Sequence, residues 1–245
     1  MTVKGLLQIG MAVSLALASE LALGLNAAPS AQAQFKPPNL GAPRTTAGGA
    51  VRSGSCLTEK MSLMALVPPT KIALTTEAHP TFFFYLPKTV AQSAEFVLKD
   101  VDDKDVYRAK VPLSKTGLVS FRLPEDAPAL EEGKDYQWYF NVICKPSDRL
   151  QDSFITAWVQ RVKPNETLAQ SLKTAATRQR PNLFAQAGIW QDTLTTLAEL
   201  RRANPTDASL MSEWDALLKS QGLSQVAQAS GGKPANPLVA EKSDN

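Results

Sequence analysis

Two residue types that are central to catalysis and metal binding are scarce in this chain. Its 245 residues include only two cysteines and one histidine, His79. Serine-histidine and cysteine-histidine catalysis both need a histidine beside the nucleophile, and a structural zinc site needs about four cysteine or histidine ligands. No nucleotide-binding glycine loop, His-Glu-x-x-His or Gly-x-Ser-x-Gly pattern occurs. The sequence therefore predicts no catalytic, cofactor-binding or metal-binding residue, and His79 is interpreted as a turn or strand-edge residue.

Paired carboxylates leave no spacing signature, so a two-carboxylate hydrolase stays open as an alternative. The densest acidic group is Asp100, Asp102, Asp103 and Asp105. It lacks the full spacing of a calcium-binding loop and its closing glutamate, which favours a polar turn between two strands.

The chain also lacks a strong excess of one charge. Its net charge is +3, and residues 56–220 contain 20 basic and 20 acidic side chains. Lys36, Arg44 and Arg52 supply the excess, and all three precede this segment. Nucleic-acid binding needs lysine and arginine clustered on one face. A nucleic-acid partner is therefore excluded from the prediction.

Long apolar runs are confined to the N-terminus. Lys4 is followed by an apolar stretch and then by a small-residue triplet that ends at Ala33, which is the order of parts in a secretory signal peptide. Gln8 and Glu20 interrupt the stretch, which leaves fewer than the ~20 clean residues that a membrane anchor needs. We expect residues 1–33 to be cleaved, and the mature protein to be periplasmic or secreted and not transmembrane.

Export changes how the two cysteines are interpreted. Cys56 and Cys144 form the one possible pair, and exported proteins mature in an oxidising compartment. The sequence predicts a disulfide bond between them.

Composition divides the rest of the chain into four parts. Residues 34–55 and 221–245 are rich in proline, glycine and polar residues, which predicts a flexible leader and a disordered tail. Residues 56–163 show the alternation of β-strands, interrupted by turns every ~8–12 residues. Residues 164–220 show helical periodicity instead.

The stretch LEEGKDYQWYFNVICKP, residues 130–146, identifies the strand segment best. Tyr136, Trp138, Phe140, Val142 and Cys144 share one face of a strand and are predicted to point into a core. The preceding Gly133 and Tyr136 resemble a tyrosine corner, in which the tyrosine hydroxyl bonds backward to the main chain. The pattern predicts an immunoglobulin-like antiparallel β-sandwich.

The helical segment predicts three amphipathic helices, with Asn165 as the first cap. Five residues fall where a tetratricopeptide helix pair places its aromatic, turn, bulky and proline positions: Phe184, Gly188, Trp190, Leu197 and Pro205. Pro181 and Thr193 depart from that pattern. We expect a small tetratricopeptide-like tail docked on the sandwich, which makes the whole chain α+β.

Several blocks in one order resemble a cyanobacterial family known as domain of unknown function 928. They include LMALVP, HPTFFFYLP, VYRAKV, GLVSFRLPEDAPALEEGKDYQWYFNVIC and GIWQDTLTTLAELRRANP, and the resemblance covers about residues 55–222. It implies an exported protein of a cell with an outer membrane. It implies no activity, cofactor or site residue.

Three aromatic side chains are candidates for binding. Phe83 and Tyr85 alternate with Phe82 and Phe84, and Tyr139 lies on the outer face of its predicted strand. Such a row can stack on a sugar or a peptide. The alternative is that the three helices cover that face and bury it.

These patterns predict an exported, non-enzymatic interaction or scaffold module of the periplasm or cell envelope. Its partner would be another envelope protein or polymer, bound through the sandwich and the helical tail. The alternative is a carbohydrate-binding or carbohydrate-active protein. Oligomeric state has no signature in the sequence.

Overall fold

A computed structural model describes Met1 and residues 34–38, 56–70 and 72–241. The predicted signal peptide and residues 39–55 of the predicted leader lie outside the described residues. The folded part belongs to one compact unit, residues 31–245. Within the described residues, no helix has both the length and the apolar character needed to cross a bilayer.

Nine strands and five α-helices make up the described fold. The strands are β1 (Met64–Ala65), β2 (Ile72–Thr75), β3 (Thr81–Leu86), β4 (Ser93–Lys99), β5 (Asp105–Pro112), β6 (Gly117–Arg122), β7 (Asp135–Val142), β8 (Ser153–Arg161) and β9 (Asn236–Leu238). The helices are α1 (Glu166–Thr174), α2 (Arg180–Gln186), α3 (Trp190–Ala203), α4 (Ala208–Ser220) and α5 (Ser224–Ser230).

The strands form two mostly antiparallel sheets that share one core. The larger sheet has the order β2-β8-β7-β4-β5, and the smaller has the order β1-β3-β6-β9. Phe84 of the smaller sheet lies 4.1 Å from Phe140 of the larger, measured between ring centroids, and Phe82 lies 5.4 Å from Trp138. The pairs β2–β8 and β6–β9 are parallel. The chain is α+β, as predicted.

Strand β7 shows why the alternating pattern predicted this core. Tyr136, Trp138, Phe140 and Val142 are buried in the core between the sheets, while the residues between them are only half-buried. The Tyr136 hydroxyl accepts a hydrogen bond of 3.1 Å from the amide of Glu131, five residues earlier. Gly133, between them, has a φ of +79°, which glycine adopts without steric cost. The backward hydrogen bond fixes the turn that starts β7.

The predicted disulfide is present. Cys56 and Cys144 are bonded, with their Cα atoms 5.2 Å apart and a sequence separation of 88 residues. Cys144 follows β7, and Cys56 precedes the first strand. The bond joins the start of the folded region to the end of the central strand of the larger sheet.

The helices cover the outer face of the smaller sheet. Phe83 of β3 contacts Trp214 of α4, with ring centroids 6.1 Å apart, and Tyr85 is buried in the same cluster. Trp190 of α3 donates a hydrogen bond of 2.8 Å from its indole Nε1 to the carbonyl of Leu66. The outer aromatic residues of β3 therefore serve as the docking surface for the helices, because two apolar faces exclude water when they meet.

The helical region contains more helices than the periodicity predicts. The Asn165 side chain accepts a hydrogen bond from the Leu168 amide and caps α1, as expected. Pro181 lies in the first turn of α2, where a helix tolerates proline because that amide needs no partner within the helix. Residues 180–186 therefore form a separate helix, and α2 and α3 meet at Gly188.

The tail predicted to be disordered is instead structured as far as Glu241. It contains α5 and β9, and β9 pairs in parallel with β6. Arg201 of α3 is only 2% exposed and donates hydrogen bonds to the carbonyls of Gly232 and Lys233. Composition does not predict this structure, because the segment is held by pairing with distant residues and not by local propensity.

Residues 34–38 of the predicted leader contact the helical layer. Phe35 is buried against Trp190, and the Lys36 amide donates a hydrogen bond of 3.0 Å to the carbonyl of Ala185. One aromatic side chain and one main-chain hydrogen bond hold this segment on the helical layer.

Candidate binding cleft

A cleft of about 800 Å³ opens where the edge of the sandwich meets α3. Its walls come from β5, from the outer face of β3 and β6, from the loop 123–128, from α3 and from residues 237–241. Both the sandwich and the helical layer therefore contribute to one concave surface, which is where ligands and partner segments usually bind.

One wall of the cleft is the free edge of the larger sheet. Strand β5 pairs with β4 alone, and Pro112, which has no amide hydrogen, is tolerated because it faces that edge. The carbonyl of Lys110 accepts a hydrogen bond of 2.8 Å from the amide of Glu241. Alternate residues of a strand turn their main-chain groups to the same side, so the Arg108 main chain also faces away from β4.

Ion pairs hold the side chains that project from this edge. Arg108 contacts Glu95 at 2.6 Å and Asp105 at 2.8 Å, and the hydrogen bond to Asp105 is the main reason that the pKa of Arg108 is raised. Lys110 pairs with Glu241 at 3.1 Å. These pairs keep the edge strand's cations in place.

The opposite rim is organised around Glu125. Its carboxylate contacts Arg122 at 3.0 Å and the Nδ1 atom of His79 at 3.1 Å. The Arg122 hydrogen bond, followed by the His79 charge, lowers the pKa of Glu125. The Nε2 atom of His79 lies 3.0 Å from the carbonyl of Ala127. His79 therefore ties the loop 123–128 to the strand-edge turn in which the sequence placed it.

One half-buried aromatic ring and three charged side chains of the cleft are available to contact a partner. Burial and the nearby Asp126 raise the pKa of Tyr107, in that order of importance. Glu199 and Arg202 of α3 and Asp126 line the cleft. None of these three forms an ion pair with another side chain in the described part of the chain. The cleft therefore offers acceptors, one cation and an aromatic surface.

The most strongly shifted carboxyl group lies outside the cleft. Asp192 is 3% exposed, and burial raises its pKa to about 6. Its oxygens accept hydrogen bonds from Thr76, which follows β2. A raised pKa can indicate a catalytic acid, but this carboxyl group joins α3 to the segment that follows β2 and does not line the cleft.

The sequence-predicted binding residues do not come together. Phe83 reaches the floor of the cleft but is only 2% exposed, and Tyr85 is buried under the helices. Tyr139 is half-buried on the outer face of the larger sheet. Phe83 and Tyr85 therefore do not form an exposed aromatic row, because the helices cover that face of the sheet, which is the alternative given in the sequence analysis.

The predicted acidic group forms a turn. One Asp100 carboxylate oxygen accepts hydrogen bonds from the amides of Asp102 and Lys104, and Lys99 contacts Asp103 at 2.8 Å. No group of three or more histidine, cysteine or acidic side chains suited to a metal occurs in the residues that the structure describes.

Sequence reasoning missed the residues that line the cleft. Tyr107 lies in β5, Glu125 and Asp126 lie in the loop after β6, and Arg202 lies in α3. None of them belongs to a sequence motif. No local signal distinguishes these residues, because they meet only after β5, α3 and the C-terminal segment have packed together.

A search of curated proteins finds no match for this chain. A sequence profile of the family described as Domain of Unknown Function (DUF928) matches residues 47–231. That range includes the disulfide, eight of the nine strands and all five helices. The chain belongs to the DUF928 family.

Proposed function

We propose that this protein is an exported, non-enzymatic interaction module of the periplasm or cell envelope. It binds an extended segment of a partner protein in the cleft. The observation that carries the proposal is the hydrogen bond from the Glu241 amide to the Lys110 carbonyl, because this strand edge already accepts a main-chain hydrogen bond from another segment of the same chain. Addition of a strand to an exposed sheet edge is a common mode of peptide binding.

The disulfide supports the compartment. Disulfide bonds persist in oxidising compartments and are rare in the cytosol, and the Cys56–Cys144 bond joins the segment before β1 to the end of β7. The predicted signal peptide, residues 1–33, agrees with export. We also propose a cyanobacterial origin, which rests on the resemblance of the sequence to the cyanobacterial family known as domain of unknown function 928.

We also propose an immunoglobulin-like type for the sandwich and a tetratricopeptide-like type for the helical hairpin. The facing sheets and the Tyr136 hydrogen bond favour an immunoglobulin-like sandwich, although two parallel strand pairs depart from a purely antiparallel one. The α2–α3 hairpin favours a tetratricopeptide-like unit, since Phe184 and Trp190 are buried and Gly188 forms the turn.

The charge arrangement favours binding over hydrolysis. A two-carboxylate glycosidase needs a general acid with a raised pKa, whereas Arg122 and His79 lower the pKa of Glu125. The Glu241 carboxylate is also paired with a cation, Lys110. Asp126, Glu199 and Arg202 are left to select a partner segment with complementary charges.

The test is photo-crosslinking in the cells that produce the protein. p-Benzoylphenylalanine replaces Tyr107 inside the cleft or, as a control, Leu150, which is 80% exposed and lies outside it. Two further variants carry the label at position 107. Arg108→Pro removes the outward amide but no bond to β4, and Arg108→Ala removes only the side chain.

We expect a protein adduct from position 107 and none from position 150. The yield of the adduct should fall at least tenfold in Arg108→Pro and less than threefold in Arg108→Ala. Both variants should keep the wild-type unfolding midpoint. An adduct that survives in Arg108→Pro, or that forms equally from position 150, contradicts strand addition in the cleft.

Carbohydrate binding is the second candidate, and Tyr107 favours it. A half-buried aromatic ring beside Asp126 and Glu199 is a surface on which a sugar ring can stack. Calorimetric titration with envelope oligosaccharides separates the two candidates. Sugar binding should be lost in Tyr107→Ala and unaffected by Arg108→Pro, the reverse of the result expected for a strand-like peptide.

A further inference from the structure

A short N-terminal segment lies against the turn between α2 and α3, whose contacting residues do not line the cleft. Residues 34–38, Gln-Phe-Lys-Pro-Pro, lie against this turn and are attached to the sandwich through residues 39–55. Phe35 is 7% exposed, and its ring meets the Trp190 ring edge-on with centroids 4.8 Å apart. The Phe35 ring is thus buried to the same extent as many core residues.

Main-chain contacts fix the same segment. The Lys36 amide donates a hydrogen bond of 3.0 Å to the carbonyl of Ala185, near the end of α2. Gly188 has a φ of +74°, and a Cβ at this position would lie 2.8 Å from the Lys36 carbonyl oxygen and 3.1 Å from Cδ of Pro38. Any larger residue would push the segment off the turn, so Gly188 provides space as well as conformation.

These contacts are those of a short linear motif bound to a receptor. One aromatic side chain fills a pocket, one amide pairs with the end of a helix, and two prolines keep the chain extended. The receptor is the α2–α3 turn with Trp190, and the ligand is a five-residue segment at the edge of the described fold.

We propose that the α2–α3 turn is a binding site for protein segments in which an aromatic residue is followed by Lys-Pro-Pro, and that residues 34–38 are its built-in, displaceable ligand. Attachment to the same chain gives the built-in segment an effective concentration on the order of millimolar. A competing segment therefore binds only when it outcompetes this internal ligand or when the internal ligand is weakened.

The probe is a fluorescent peptide of residues 34–40, QFKPPNL, added to the chain that begins at Gln34. Fluorescence polarisation should show binding to the Phe35→Ala variant and at least tenfold weaker binding to the wild type. A control peptide with alanine in place of its phenylalanine should not bind. Adding Gly188→Ala to the Phe35→Ala variant should weaken binding at least tenfold.

Hydrogen exchange provides a test on the wild-type chain, independent of how Phe35→Ala folds. The Lys36 amide should be protected in the free protein and should lose that protection at saturating peptide. Equal peptide binding to the wild type and Phe35→Ala, unchanged binding in the Gly188→Ala variant, or a Lys36 amide that stays protected at saturation would each overturn the proposal. None of these measurements depends on the cleft.

Discussion

The carboxylate of Asp192, in the first turn of α3, accepts a hydrogen bond of 3.1 Å from the amide of Thr76, which lies 116 residues earlier in the chain. The Thr76 hydroxyl donates to the same carboxylate. Thr76 directly follows β2, which is one of the two edge strands of the larger sheet. A single buried side chain therefore joins the helical layer to the residue that follows an edge strand.

The raised pKa of Asp192 makes stability depend on pH. The folded protein holds this proton up to about pH 6, whereas the carboxyl group ionises near 3.8 in the unfolded chain. Between these values the folded state binds more protons, so the free energy of unfolding falls as pH rises from about 4 to about 6. The fall attributable to Asp192 should be on the order of 3 kcal/mol.

Urea unfolding at several pH values checks this dependence. Asp192→Asn keeps an acceptor for Thr76 but cannot titrate, so the decline between pH 4 and 6 should shrink. Asp126→Asn, which changes an exposed carboxyl group at the cleft, should keep the wild-type profile. If the wild type and Asp192→Asn show parallel curves, the buried carboxyl group does not control stability.

Reduction of the Cys56–Cys144 bond should weaken the fold. The bond closes a loop across 88 residues of sequence, and the chain-entropy model assigns such a loop about 4–5 kcal/mol of stabilisation. We expect the urea midpoint to fall when dithiothreitol is added. The Cys56→Ser, Cys144→Ser double variant should start from the lower midpoint and show no further response to reductant.

Tyr136→Phe removes the hydroxyl that the Glu131 amide uses as its acceptor. Loss of one such hydrogen bond should cost about 1 kcal/mol of unfolding free energy. Tyr139→Phe is the matched control, since it makes the same change on the same strand but on its outer face. Equal midpoints for the two variants would show that the corner hydrogen bond adds nothing.

Arg201→Met should loosen the C-terminal segment. The guanidinium group donates to the carbonyls of Gly232 and Lys233 and lies 4.8 Å above the Trp214 ring. Losing these contacts should cost about 2 kcal/mol. Hydrogen exchange at Leu238 should accelerate, because the segment that carries β9 loses its anchor.

Arg202→Met provides the comparison for Arg201→Met. Arg202 is the adjacent residue and is exposed, so its replacement should leave both exchange and stability unchanged. Slow exchange at Leu238 in Arg201→Met would mean that the pairing with β6 holds β9 without help from the arginine.

Much of the sandwich follows from local periodicity. Successive side chains of a strand point to opposite faces, so alternation alone assigns Trp138 and Phe140 to the core. The chain has only two cysteines and is predicted to be exported, so the sequence allows only one disulfide pairing. The spacing of Gly133 and Tyr136 predicts a backward hydrogen bond that involves only neighbouring residues.

The candidate site follows from the tertiary structure instead. Strand β9 has three residues, includes Pro237 and follows two glycines, so nothing local indicates a strand. It forms because β6 presents an unpaired edge and Arg201 holds the preceding turn. The cleft, the Lys110–Glu241 bond and the Asp192–Thr76 bond all join segments far apart in sequence. Periodicity assigns a residue to a face, but only the packed chain decides which distant segment meets that face.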